Sequence, residues 1–165
     1  NGVVDGKEYL DKMLEYRKLI STESKNLTRE VEELNTDLNY NQNLYKGFLN
    51  SSQNIFFIAL HKGKIIGPIN VMKDKRKRLS HKGSMGLSVI KEYWNSGIGN
   101  LLMMHTINYI RTSKFVEKLN LSVREDNKYA INLYKKYNFK VEGTEKRMFK
   151  INSNFIDGYY MGLEI

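Results

Sequence analysis

Two glycines, Gly97 and Gly99, stand between a stretch that reads as a strand and one that reads as a buried helix. No other feature constrains the fold of this chain as tightly. Before the junction, Met85-Gly86-Leu87-Ser88-Val89-Ile90 has strand character. After it, Leu101-Leu102-Met103-Met104-His105-Thr106-Ile107-Asn108-Tyr109-Ile110 has the apolar density of a largely buried helix. The link between them is Tyr93-Trp94-Asn95-Ser96-Gly97-Ile98-Gly99-Asn100. A strand that passes through a glycine turn into a helix suits an anion. Glycine lets the backbone come close, the first helical amides point out unpaired, and the helix dipole adds attraction. A glycine pair alone more often marks a plain turn, so the case rests on a second segment.

That segment begins with a strand, Leu119-Asn120-Leu121-Ser122-Val123, and continues as Arg124-Glu125-Asp126-Asn127-Lys128-Tyr129-Ala130-Ile131-Asn132-Leu133-Tyr134-Lys135-Lys136-Tyr137-Asn138-Phe139. Asp126 or Asn127 can cap a short helix. Ala130, Leu133 and Tyr134 follow Asn127 at helical spacings and share one face with it. An Asn and a Tyr on one face behind a strand end are well placed to meet a ligand. Spacing by itself favours a packing role for the tyrosine.

Together the two segments resemble the GNAT superfamily, the N-acetyltransferases that use acetyl-CoA. In that family a strand feeds a pyrophosphate loop of the pattern Gln/Arg-x-x-Gly-x-Gly/Ala. A later helix of the pattern Asn-x-x-Ala-x-x-Leu-Tyr carries an Asn that contacts pantetheine and a Tyr that serves as acid. The first pattern falls on Trp94-Asn95-Ser96-Gly97-Ile98-Gly99, the second on Asn127 to Tyr134. Asn138-Phe139 and Gly143 match the family's Gly-Phe and the glycine that follows. Trp94 stands where Gln or Arg is usual, which removes one side-chain contact to the phosphates and leaves the backbone amides. Asn138 replaces a glycine, and Asn tolerates the left-handed conformation such a turn needs. The likeness runs from about Ile55 to Leu163.

The resemblance implies an α/β fold: a mixed, mostly antiparallel twisted sheet with helices on both faces and a splayed parallel pair that admits CoA. It implies acetyl transfer from acetyl-CoA to a primary amine by direct attack on the thioester. The acceptor would be a small amine, a polyamine or a peptide N-terminus. Tyr134 would be the acid for the leaving thiolate, since an unperturbed phenol of pKa about 10 stays protonated at neutral pH. The backbone of Leu87, Ser88 and Val89 would pair with pantetheine like an added strand, with an amide near Val89 as oxyanion donor. Amides of Asn95, Ser96, Gly97, Ile98, Gly99 and Asn100 would hold the pyrophosphate, and Asn127 the pantetheine arm. Trp94, Ala130 and Tyr134 complete the cofactor-binding set. No carboxylate occurs from Ser84 to Val89 to serve as base. Glu23 is the candidate for the acceptor amine, with Asp157 and Tyr159 behind it, and a water chain would need no dedicated base.

At 165 residues and 41% hydrophobic, the chain can bury one sizeable core, so a single soluble domain spanning 1–165 is expected. No apolar run approaches the roughly 20 residues that cross a bilayer, and neither a membrane span nor a secretory leader is expected. The sequence has no cysteine, which excludes disulfides, thiolate zinc sites and a cysteine nucleophile, and fits a cytoplasmic setting. His61, His81 and His105 are scattered, so no metal site is expected. Whether the chain pairs as a homodimer stays open.

The formal charge of +9 has its densest run at Lys73-Asp74-Lys75-Arg76-Lys77-Arg78. The favoured reading is a solvated loop between strands, without the aromatic residues a stacking platform requires. Lys128, Lys135 and Lys136 lie near the second motif and suit the phosphates of CoA. Two other readings compete with the enzyme: a non-catalytic acyl-CoA sensor, and a basic nucleic-acid-binding module. A dinucleotide site fails on its third glycine, which would fall at Leu102.

Before the motifs, the pattern predicts helices over Lys7 to Ile20, Thr28 to Leu38 and around Asn41 to Leu49, with a break at Ser21 to Asn26. Strands follow at Asn54 to Leu60 and Ile65 to Val71, and Pro68 implies an edge, a bulge or a strand end. After them, Lys140 to Ile165 reads as two strands turning at Asn152-Ser153-Asn154. A first strand has little to draw on beyond Asn1-Gly2-Val3-Val4.

Overall fold

A computed structural model of the chain describes residues 2–23, 40, 43–44, 46–47 and 51–165. The short N-terminal strand is present: β1 (Gly2–Asp5) lies antiparallel on β2, Val3 opposite Ala59. A 3-10 turn at Gly6–Tyr9 leads into α1 (Leu10–Glu23). This helix continues past the expected break at Ser21. The Thr22 hydroxyl donates to the Leu19 carbonyl at 2.7 Å, and the Glu23 carboxylate finds a partner elsewhere in the fold, so polar side chains do not unwind the last turn. The helix expected over Thr28 to Leu38 lies outside the described residues. Of the one around Asn41 to Leu49, residues 43–44 and 46–47 are described, all helical.

β2 (Asn54–His61) and β3 (Lys64–Lys73) form a hairpin, and β4 (Lys82–Leu87) pairs antiparallel with β3. Next come α2 (Ile98–Ser113), β5 (Lys118–Arg124), α3 (Lys128–Lys136), β6 (Lys140–Ile151) and β7 (Asn154–Glu164). The strands make one seven-stranded sheet in the order β1-β2-β3-β4-β5-β7-β6. β4 and β5 are its one parallel pair among the described residues. Pro68 lies inside β3 rather than at its end. It sits beside the irregularity at Ala59/Leu60 of β2 and one residue past the last β3–β4 pair, Ile69 with Leu87, where a missing donor is tolerated.

Helices cover both faces. The Phe57 ring meets the His105 and Tyr109 rings of α2 edge-on, with centroids 4.6 and 5.3 Å apart. Its neighbour Phe56 points to the opposite face, where it and Ile58 press against Gly6 at the approach to α1. The sheet is thereby sandwiched, with Ile58, Ile69, Leu102, Met103, Ile110 and Leu119 fully enclosed. The Lys73–Arg78 run forms the β3–β4 connection. There Arg76 pairs with Asp74 at 2.7 Å, Lys73 lies over the Phe115 ring with its Nζ 5.4 Å from the centroid, and Lys75, Lys77 and Arg78 are exposed.

The parallel ladder is short. Lys82, Gly83 and Ser84 face Lys118, Leu119 and Asn120, and there the pairing stops. β4 stays with β3 to Leu87, while β5 stays with β7 to Arg124 opposite Gly158. The two strands therefore part toward their C-terminal ends.

Candidate active site

A cleft of about 280 Å³ fills that gap. From β4 and the residues after it come Leu87, Ser88 and Val89, and from β5 come Ser122, Val123 and Arg124. The loop before α2 adds Trp94 and Asn95, α2 adds Gly99, and the α3 segment adds Asn127, Tyr129, Ala130, Leu133 and Tyr134. Ile20 of α1 and Phe149 of β6 close it. The two motifs, some thirty residues apart in sequence, thus meet across one opening because the strands that carry them separate.

Past Leu87 the chain still leans on β3: the Ser88 amide donates to Pro68 at 3.2 Å and the Ile90 amide to Ile66 at 3.0 Å. Alternation along an extended chain turns the intervening Val89 amide and carbonyl the other way, toward the gap that β5 has left. Hydrogen bonds from neighbouring side chains hold this segment. Trp94 Nε1 donates to the Val89 carbonyl at 2.7 Å, Tyr16 Oη and Ser88 Oγ share a hydrogen bond of 2.8 Å, and the Lys91 amide donates to Glu23 Oε2 at 2.8 Å. Tyr16 is 5% exposed, and burial pushes its phenol up, away from ionisation.

The loop turns through two left-handed residues, Asn95 (φ 57°) and Gly97 (φ 85°). Gly97 caps α2 without a side-chain bond, and the first helical bond runs from the Leu101 amide to Gly97. The amides of Ile98, Gly99 and Asn100 therefore project from the helix start without helical acceptors. The Ser96 hydroxyl is turned back to the Tyr93 carbonyl. The Asn100 side chain is tied through its oxygen: Oδ1 accepts from Lys136 Nζ and Tyr137 Oη, each at 2.8 Å, which leaves the backbone amide and the side-chain NH₂ as its donors. Gly99 is needed for packing as well as approach, because a Cβ there would lie 3.0 Å from Leu133 Cδ2.

Asn127 is the N-cap of α3, its Oδ1 accepting from the Ala130 amide at 3.3 Å. That use of the oxygen leaves the side-chain NH₂ as its donor. Tyr134 is 7% exposed and packs its ring on Phe139 with centroids 5.8 Å apart. Burial pushes its pKa up to about 12. Arg124, 9% exposed, is held by Asp126 through Nε (2.9 Å) and Nη2 (2.6 Å), and the guanidinium keeps the Asp126 carboxyl below its ordinary range. The chain turns out of α3 through Asn138 at φ 67°, the left-handed conformation its replacement of glycine calls for.

Other expected residues fall outside the cleft. Glu23 closes α1, away from the cleft lining, with one carboxylate oxygen on the Lys91 amide. Asp157 accepts from Lys146 Nζ and the Arg147 amide, both at 2.8 Å, which braces the β6–β7 hairpin. Lys128 donates to the Glu125 carbonyl at 2.8 Å. Conversely, Ile20, Ser122, Arg124 and Phe149 reach the cleft with no signal in the sequence. Ile20 belongs to an apolar helical pattern indistinguishable from core, and Phe149 arrives by long-range pairing. Among the described residues, no group of three or more His, Asp or Glu is arranged to hold a metal ion.

A seven-stranded mixed sheet parts at its parallel pair, and a helix start with free amides and a tyrosine face that one opening. The model of the Acetyltransferase (GNAT) family matches residues 16–139, and the chain belongs to that family. It is 34% identical over 104 residues to L-amino acid N-acetyltransferase AaaT of Escherichia coli K12, a match that spans 63% of this chain and 64% of that protein's length. An acetyltransferase of the GNAT family from Streptococcus pneumoniae superposes with a TM-score of 0.91 at 28% identity, over 99% of this chain and 98% of that one. The fold is shared with yncA of Salmonella typhimurium, solved with its cofactor acetyl-CoA. There the TM-score is 0.83 at 12% identity, over 98% of this chain and 92% of that one.

Proposed function

We propose that this chain transfers an acetyl group from acetyl-CoA to a primary amine in the β4–β5 cleft. The observation that carries the proposal is the end of the parallel ladder at Ser84/Asn120, which opens the Val89 amide, the α2 start and Tyr134 onto one space. The pyrophosphate sits on the amides of Ile98, Gly99 and Asn100, the pantetheine arm runs along Leu87 to Val89, and the Asn127 side chain donates to it. The amine attacks the thioester carbonyl, whose oxygen gains charge opposite the Val89 amide. Collapse breaks the C–S bond, and Tyr134 donates to the departing sulfur. A phenol of pKa about 12 stays protonated through the neutral range, so this donor needs no tuning to pH.

The amine loses its proton to water: among the described residues lining the cleft there is no carboxylate. The name of the E. coli relative makes the α-amine of a free L-amino acid the first acceptor to test. The missing carboxylate is also what favours a second reading, binding of acyl-CoA without transfer. Thermal unfolding with acetyl-CoA, and with NAD as control, tests the cofactor. At a hundredfold the dissociation constant, acetyl-CoA adds about 2.7 kcal/mol and raises the midpoint by roughly 5–10 °C. An acceptor screen with L-amino acids, polyamines and peptides then separates enzyme from sensor. No shift at millimolar acetyl-CoA defeats both.

A further inference from the structure

We infer that Trp94 and Tyr16 are positioning residues that hold Val89 as a donor-only point on the cleft wall. The inference rests on the acetyl-transfer reading above and adds to it the side chains that set the geometry of the reacting edge.

β4 loses its parallel neighbour after Ser84, and its ladder with β3 ends at Leu87. Residues 88–91 therefore run along an open edge, held on the β3 side by two backbone bonds of 3.2 and 3.0 Å. An edge with a free amide and a free carbonyl at one residue offers a ligand both signs of partial charge. A thioester oxygen gaining negative charge is attracted by the first and repelled by the second. Trp94 resolves this: its indole N–H sits 2.7 Å from the Val89 carbonyl and satisfies it, so Val89 presents its amide alone. Tyr16 acts one residue earlier. Its buried hydroxyl fixes Ser88 Oγ at 2.8 Å, which limits rotation of the peptide that carries the Val89 N–H. Glu23, on the Lys91 amide at 2.8 Å, anchors the far end. Side chains from α1 and from the glycine loop thus take the place of the strand that has moved away. The tryptophan that departs from the family pattern at position 94 has a role here that touches no phosphate.

Two variants that keep an aromatic side chain and remove the polar atom test this: Trp94→Phe, which exchanges the indole for a smaller ring, and Tyr16→Phe. Hydrogen–deuterium exchange of the segment 86–92 reads the clamp without any need for turnover, and faster exchange than in the parent chain is expected in both. With an amine acceptor, kcat falls roughly tenfold while the acetyl-CoA dissociation constant moves less than about twofold, since a misplaced donor hurts the transition state more than the ground state. Tyr16→Phe combined with Ser88→Ala is no worse than Tyr16→Phe alone, because the two groups act through one bond. Unchanged exchange in both variants overturns the inference, and so does faster exchange with unchanged kcat. A parent chain that binds acetyl-CoA but acetylates no amine overturns the enzyme reading and with it the catalytic part of this inference. Exchange then reports the clamp as a structural device.

Discussion

Gly99 at the start of α2 and Leu133 on α3 stand so close that a Cβ on the glycine would lie 3.0 Å from Leu133 Cδ2. Here the two motifs pack against each other, and only glycine leaves room for Leu133 between the anion-binding helix start and the tyrosine helix. The two loop glycines consequently fail in different ways. Gly97 has open space around its missing Cβ but a φ of 85°, so Gly97→Ala costs about 1–2 kcal/mol from backbone strain. Gly99→Val overpacks instead, costs about 1–3 kcal/mol and pushes Leu133 into the cleft. Urea unfolding measures both. Acetyl-CoA affinity drops more for Gly99→Val, and equal affinities would contradict this division of labour.

Tyr134→Phe keeps the ring on Phe139 and removes the hydroxyl, so stability changes little. Loss of a donor to the leaving sulfur lowers kcat by about 10²–10³-fold with acetyl-CoA affinity retained. Because burial pushes the Tyr134 pKa up to about 12, its protonated form persists to high pH, and the parent rate shows no fall from this group below about pH 10. A rate profile of parent and variant from pH 6 to 10 checks it. An alkaline limb near pH 8 that vanishes in the variant would show the tyrosine titrating far lower.

Asn127 holds two jobs that two substitutions separate. Asn127→Ala removes the cap on the Ala130 amide and costs about 1 kcal/mol. Asn127→Asp keeps an oxygen for that amide, and its charge suits a helix N-terminus, so stability holds. It loses the NH₂ donor, so acetyl-CoA binds more weakly in both variants. Chemical denaturation and a binding titration give the two readouts.

Arg124 and Asp126 make stability depend on acid. The guanidinium holds the native Asp126 carboxyl below its unfolded value of about 3.9, so the ion pair stabilises the fold above that pH and its contribution is lost as pH falls through the lower native value. Asp126→Asn removes the carboxylate charge from the Arg124 ion pair and costs about 1–2 kcal/mol at pH 7, between the exposed and buried limits. Denaturation curves of parent and variant should draw together as pH falls below the ordinary carboxylate range. A gap of constant size across that range would remove the pair as its source.

Most of the architecture was legible along the chain. Strands β2, β3 and β5 announce themselves by β-branched and aromatic runs, α2 by its apolar density, and the β6–β7 turn by Asn152 and Ser153, which take φ of 48° and 67°. These are signals confined to a few residues, as are the glycine at 97, the cap at Asn127 and the left-handed turn at Asn138. The end of α1 was misjudged because Ser21, Thr22 and Glu23 resemble a helix stop in isolation. The Glu23 carboxylate is instead satisfied by Lys91, a partner 68 positions away.

The sequence by itself determined the elements, the glycine loop, the capped tyrosine helix and the family to which they belong, because each is written in short-range spacing and backbone preference. The tertiary structure decided where β4 and β5 separate, that the Asn100 side-chain oxygen is tied to Lys136 and Tyr137, and that Trp94 and Tyr16 converge on the residues around Val89. The separation rests on which neighbour each strand keeps, β4 with β3 and β5 with β7, and the side-chain ties depend on distances across elements. Long-range packing sets both, and no local pattern of residues encodes it.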